Sequence, residues 1–212
     1  MARNLPPSPY RWNERAGRYQ DARGRFVSWR AVQRSLYETV DTARDAIKDL
    51  AQDLRDGKLS LQAWRDAMAT EIRNLHAASA AAAKGGWAQM TPADWGRVGG
   101  RVRGELWYLN RLAGEIVSGK QRLDGSFLRR AAMYGDAGKR TYAAQESVEA
   151  GRHGFDEEHS ELGTAEHCDE CVAEASKGWV PIGTLIGIGL RACMNSCACT
   201  MHYRNSRPGE TR

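Results

Sequence analysis

All five cysteines of the chain lie between Cys168 and Cys199. Their order is Cys168-x2-Cys171, then 21 residues, then Cys193-x3-Cys197-x-Cys199. Two short chelating groups at this separation can fold back onto one ion. Soft thiolates in a tetrahedral set favour zinc. His167 and His202 flank the group and can stand in as ligands. Five thiols for four positions leave one spare, and the spacing alone does not say which. The run between Cys171 and Cys193 holds Pro181 with Gly178, Gly183, Gly187 and Gly189, which suits a hairpin that brings the groups together. A redox dithiol would sit in an alternating strand–helix pattern, which this part of the chain lacks. A catalytic zinc keeps an open position beside a base. His159 and Glu161 are the nearest acid–base candidates, yet a cysteine-rich set leaves no position open. The expectation is a structural zinc that staples a module too small to bury its own core.

A second chemical feature lies at the other end. Residues 1–34 hold eight Arg, no Lys and only two acids, Glu14 and Asp21. The remainder carries 23 basic and 24 acidic residues and is −1, so this segment at +6 accounts for the whole net charge of +5. Arg without Lys suits planar, bidentate contacts with carboxylate or phosphate. Tyr10, Trp12, Tyr19, Phe26 and Trp29 are interleaved with the arginines. Pro and aromatic residues exceed what a plain phosphate clamp needs. Arg11, Arg15, Arg18, Arg23 and Arg25 are therefore expected to meet an acidic protein surface, with DNA contact secondary.

The 212 residues are enough for one large domain or two small ones. No run of 18 apolar residues occurs, so no membrane-spanning helix is expected. The opening MARNLPPSPYRW lacks the apolar centre of a secretory leader, and a cytoplasmic product is expected. That environment disfavours a disulfide framework. There is no Gly-x4-Gly-Lys-Ser/Thr, no Gly-x-Ser-x-Gly and no His-Glu-x-x-His. No enzymatic activity is expected.

The elements that must position these groups are mostly helices. Residues 3–14 are Pro-rich and read as extended. Residues 15–28 read as a short hairpin around Asp21–Gly24, too small to be stable unless docked. Ser28 can cap a helix over 29–55, whose Val32, Leu36, Val40, Ala43, Ile47, Leu50 and Leu54 form one stripe. A second helix over 60–83 carries Leu61, Trp64, Met68, Ile72 and Leu75, ends in an alanine-rich stretch and stops at Gly85-Gly86. Thr91-Pro92-Ala93-Asp94 starts a third over 92–118, with Trp95, Val98, Val102, Leu106, Leu109, Leu112 and Ile116 inward. A fourth over 127–150 is less regular, and Gly135 and Gly138 are candidate breaks. His76 reads as incidental. The expected fold is mainly α: an extended Arg-rich arm over 1–28, a helical bundle over 29–150, and a small zinc-stapled β or irregular module over 151–212.

The C-terminal segment resembles a known module. Its order is His167-Cys168-Asp169-Glu170-Cys171, then Gly178-Trp179-Val180-Pro181-Ile182-Gly183, then Cys193 to Cys199 followed by Thr200-Met201-His202-Tyr203-Arg204. This is similar to the C-terminal module of tailed-bacteriophage minor head proteins, the Mu-type head morphogenesis family. A Cys-x2-Cys pair, a Gly/Pro-rich run and a Cys-x-Cys followed by an aromatic residue and Arg recur there. Ala198 stands where many members have a basic residue, and the chain is short for the family. The resemblance implies a virion component in the head interior or near the portal, present in many copies and needed for head assembly and DNA packaging. Its partners would be the portal or major capsid protein, with packaged DNA touched through the arm. It also favours Cys197 and Cys199 as the partners of Cys168 and Cys171. The alternative from the residues is a zinc-ribbon DNA-binding or nuclease-like protein acting free in the host cytoplasm.

Overall fold

The computed structural model describes residues 9–206, without the side chains of Gln33, Leu36, Tyr37 and Asn195. The expectation that Leu36 is buried lies outside the described residues, as do Arg3 and residues 207–212. Three short strands come first: β1 (Arg11–Asn13), β2 (Arg18–Gln20) and β3 (Phe26–Val27). Four long helices follow: α1 (Trp29–Arg55), α2 (Leu61–Lys84), α3 (Pro92–Val117) and α4 (Gly125–Arg152). The C-terminal module contains β4 (Glu157–Glu161), α5 (Asp169–Ser176), β5 (Val180–Pro181) and β6 (Thr200–Arg204). Among the described residues no helix is long and apolar enough to cross a membrane.

Each long helix begins where a side chain can satisfy its orphan N–H groups. Ser28 accepts from Ala31, and Ser60 accepts from Ala63. Thr91 and Asp94 form a reciprocal capping box with Pro92 at the first turn. Asp124 caps α4. Gly85 ends α2 at φ +92, a left-handed position natural only to glycine. A Cβ there would also meet the backbone nitrogen of Trp12 at 2.3 Å. The same residue therefore stops the helix and admits β1 against its end.

α1, α2 and α4 make the closest contacts, and α3 packs chiefly on α2. Ile47, Leu54, Trp64, Met68, Ile72, Leu109, Leu112 and Phe127 form one continuous buried cluster. Val40, Ala43, Leu75, the alanines of α2 and Tyr142 form another. Contrary to expectation, Gly135 and Gly138 do not break α4. A Cβ on Gly135 would meet Arg44 Cα at 2.7 Å, and one on Gly138 would meet Leu75 Cδ1 at 2.7 Å. These glycines are where α4 presses onto α1 and α2. The inward stripe of α3 is shorter than expected. Val98, Leu109 and Leu112 are buried, Val102 and Leu106 are half-buried, and Trp95 is exposed. A helix leaning mainly on one neighbour covers a narrower stripe than one inside a bundle.

In the N-terminal segment the expected hairpin over 15–28 is present, β2 pairing with β3 around Asp21–Gly24, and β1 adds a third strand where residues 3–14 are expected to be merely extended. β1, β2 and β3 form an antiparallel sheet, with Trp12 opposite Tyr19. The sheet docks on the helices through polar and ring contacts. The Trp12 N–H donates to Gln89 Oε1 (3.2 Å), and Gln89 Nε2 donates to Trp12 O (2.8 Å). The Tyr19 hydroxyl donates to Ala83 O (3.0 Å), and Trp12 stacks on His153. A three-stranded sheet this small needs such a platform.

A buried ionic network locks the same end of the bundle. Asp94 is fully buried and accepts from Thr91, Gln145, Arg97 and Arg152. Burial pushes its pKa up, but these hydrogen bonds outweigh it and hold the carboxyl well below the usual range. Glu149 accepts from Lys84 (2.6 Å), Arg152 (2.7 Å) and Gln145 (2.8 Å). The network joins the end of α2, the start of α3 and the end of α4.

Candidate metal centre

In the C-terminal module β4 lies between β5 and β6, antiparallel to both. Carboxylates pin the Gly-rich loop onto this sheet and α5. Glu158 Oε1 accepts from the N–H groups of Gly183 (3.0 Å) and Leu185 (2.8 Å). Glu174 accepts from Ile186 N–H (3.0 Å) and Lys177 (2.7 Å), and Glu170 accepts from Ala192 N–H (2.6 Å). On its outer side the loop rests on α4, where Gly189 leaves no room for a Cβ beside Arg140. These contacts return Cys193 to the neighbourhood of Cys168 and Cys171.

Cys168 is the residue that opens α5, and Cys171 lies in its first turn. Cys193 and Cys197 flank a single 3-10 turn over Met194–Ser196. Cys171 Sγ lies 3.5 Å from Cys168 Sγ, 3.4 Å from Cys193 Sγ and 3.7 Å from Cys197 Sγ. Four thiolates around zinc at about 2.3 Å would be separated by roughly 3.8 Å, the edge of that tetrahedron. The three separations from Cys171 approach that edge, and the sulfurs of Cys168, Cys171 and Cys193 all lie within 4.8 Å of one another.

Cys199 packs in the same buried cluster as Cys171 and Cys197. Its sulfur is 3.7 Å from His167 Nδ1, while His167 Nε2 is 3.0 Å from the carbonyl of Gly163. That contact suits an Nε2–H tautomer and leaves the Nδ1 lone pair toward Cys199. His167, Cys171 and Cys199 form a second group of donor atoms within 4.8 Å of one another. Cys193, Cys197 and Cys199 thus all approach Cys171. One 3-10 turn carries its two flanking cysteines to the same side, toward Cys171, and Cys199 immediately precedes β6.

The two histidines flanking the cysteines part company. His167 joins the cluster, whereas His202 does not. His202 Nε2 lies 2.6 Å from Glu161 Oε2, and its ring packs edge-on to Trp29. Glu161 is thereby occupied, and His159 sits across the ladder from His202 with its ring near Trp179. The imagined acid–base pair of His159 and Glu161 is not assembled.

Sequence reasoning missed Arg191. This side chain is 1% exposed, yet it carries a full charge beside the thiols. Its Nε donates to Ile186 O (2.7 Å) and its Nη1 to Ser160 Oγ (2.9 Å). Burial lowers its pKa, but contact with Cys171 and the field of Cys197 and Cys199 outweigh that and raise it. Four thiolates on a divalent ion leave two negative charges, and a buried guanidinium offsets part of them. The only signal in the sequence was an Arg at the end of the apolar Ile186–Leu190 run. Cys197 is also primed. Burial opposes its ionisation, but the N–H of Cys199 and neighbouring thiols lower its pKa, whereas burial and the same neighbours raise Cys193 and Cys199.

The five expected partner-binding arginines, Arg11, Arg15, Arg18, Arg23 and Arg25, are all exposed on the docked sheet. Arg25 is held by Asp21 (2.7 Å), and Arg18 lies over the Phe26 ring. No protein-family model, curated protein or solved structure matches the chain.

Proposed function

We propose that this chain is a structural virion protein of a tailed phage, acting at the portal or inner capsid in head assembly and DNA packaging. Its C-terminal module is read as a knob stapled by one structural zinc on Cys168, Cys171, Cys193 and Cys197. The observation that carries the reading is the thiol cluster. Cys168, Cys193 and Cys197, all in the stretch that resembles the head morphogenesis module, lie 3.4–3.7 Å from Cys171. When bound, the ion would supply cross-linking of α5, the 3-10 turn and the approach to β6, and no chemistry. The arginines of the docked sheet would meet an acidic surface of the portal or major capsid protein, with packaged DNA a lesser contact.

The test is the protein composition of purified DNA-filled particles from cells in which the chain is produced with its neighbouring genes. Recovery of the chain at a fixed ratio to the portal or capsid protein is the expected result. Its absence from particles, together with duplex DNA binding or cutting by the free chain, would overturn the reading in favour of a free zinc-ribbon protein. The arm is tested separately with Arg11→Glu, Arg15→Glu and Arg23→Glu combined, because truncation would also remove the ring contacts that seat the sheet. Loss of incorporation with folding intact supports docking on an acidic partner. Normal incorporation with lost DNA binding makes the arm a nucleic-acid element, with a salt slope of about −0.9 per phosphate contacted.

A further inference from the structure

A cavity of about 380 Å³ lies where the N-terminal sheet, the C-terminal half of α4 and β6 meet. That volume falls within the range of small-ligand sites, roughly 300–1,000 Å³. Its walls are mainly aromatic: Trp12 and Tyr19 from the sheet, Trp29 from the start of α1, and Tyr203 from β6. Trp12 and Tyr19 meet edge to face, with centroids 5.0 Å apart. Two carboxyl groups line the cavity, and they differ. Glu149 is committed to Lys84, Arg152 and Gln145. Glu146 has no basic partner among the described residues; the Tyr142 hydroxyl bonds it, and the Tyr19 and Tyr203 phenols lie close enough to feel its charge. Burial pushes its pKa up to about 8, and the hydroxyl offsets only part of this.

The other charged groups nearby are spoken for. Arg18 lies over Phe26, His202 faces Glu161, and His153 stacks on Trp12 with its pKa lowered by burial. A carboxyl without a counter-ion, in a chamber faced with π-systems, is the chemistry that recognises an organic cation. The rings attract the cation through their quadrupoles, and the carboxylate supplies the charge and the hydrogen bond.

We infer that this cavity binds an organic cation bearing an ammonium or guanidinium group, with Glu146 as its counter-ion and Trp12, Tyr19, Trp29 and Tyr203 as the aromatic wall. The inference stands independently of the virion reading. On binding, the Glu146 carboxyl ionises against the cation and its proton leaves to solvent. The cation comes either as a free amine or as a Lys or Arg side chain of a partner peptide, and both present the same group to the site.

The experiment is calorimetric titration of the full chain at pH 7 in two buffers of different ionisation enthalpy. The probes are n-butylammonium, agmatine and the blocked peptide Ac-Gly-Arg-Gly-NH2, with n-butanol as the neutral comparator. Binding of a cation, at least tenfold tighter than n-butanol and with net proton release, is expected. Binding of the free amines identifies a small-molecule site, and binding of the peptide alone identifies a partner side chain. Glu146→Gln, which keeps the shape and the Tyr142 contact, should weaken cation binding at least tenfold while the melting temperature stays level or rises. Equal binding by Glu146→Gln, equal binding of n-butanol, or no binding of any cation at millimolar concentration would each overturn the inference.

Discussion

Cys171 is the thiol on which the candidate centre turns, since three other sulfurs lie within 3.7 Å of it. This gives the cysteines unequal weights. Cys168→Ser, Cys171→Ser and Cys197→Ser should each lose bound zinc and loosen the module while leaving the helices folded. Cys199→Ser should keep about one equivalent. Metal content by elemental analysis, with far-UV circular dichroism for the helices, checks both statements. Zinc lost in Cys199→Ser but retained in Cys193→Ser would reverse the ligand assignment. Arg191→Met keeps the bulk of the buried side chain and removes its charge. It should weaken zinc retention by about 10–100-fold in a chelator competition, the range typical of groups that support metal ligands.

The helices are set by their ends and by one face each. Ile47 and Leu109 are essentially fully buried in the same cluster, so Ile47→Ala or Leu109→Ala should cost about 2–5 kcal/mol in chemical denaturation. Glycines within the helices divide by environment rather than by propensity. Gly135→Ala gains helix propensity but drives a Cβ to 2.7 Å from the Arg44 backbone, so a net loss of about 1–3 kcal/mol is expected. Gly99→Ala in α3 meets nothing within 4 Å and should stabilise by about 0.5–1 kcal/mol. Opposite signs from the same substitution distinguish close packing from backbone entropy. The one-sided seating of α3 also explains its outer face, where Trp107 and Tyr108 are more than half exposed.

Across the whole molecule, buried polar groups tie the helices together and set the response to acid. His76 on α2 is buried against Thr141 of α4, with its Nδ1 2.6 Å from the threonine hydroxyl. Burial lowers its pKa to about 4, with a further push from Arg101 and Arg140. The unfolded chain therefore binds a proton near pH 6.5 that the folded chain refuses until about pH 4. Folding stability from this group is full above pH 6.5, falls as the pH drops through that window, and levels off below it. The loss approaches ~3 kcal/mol by the pKa difference. His76→Gln should flatten this part of the stability–pH curve, measured by urea denaturation between pH 7 and pH 4. Asp94 acts in the same direction at lower pH. Its depressed pKa contributes stability above the ordinary carboxylate range, lost as the pH falls through its folded value.

Local chemistry determined much of this protein directly. Ser28, Ser60 and Thr91-Pro92 mark three helix starts because a cap needs only its own next three residues. The stripes of α1 and α2 are legible because a helix repeats its face every three to four residues. The cysteine spacing likewise announced a metal-type cluster without naming its ligands. Tertiary structure decided what depends on segments far apart in the chain. It turned Gly135 and Gly138 from candidate breaks into contact points, because only the approach of α1 and α2 gives a missing Cβ its value. It seated the Arg-rich segment on Gly85 and Gln89 as a sheet, sent His202 to Glu161, and brought Cys193 and Cys197 to Cys171 through one 3-10 turn. It also left Glu146 in an aromatic chamber without a counter-ion among the described residues. No periodicity records that placement, since its walls come from α1, α4 and strands at both ends of the sequence.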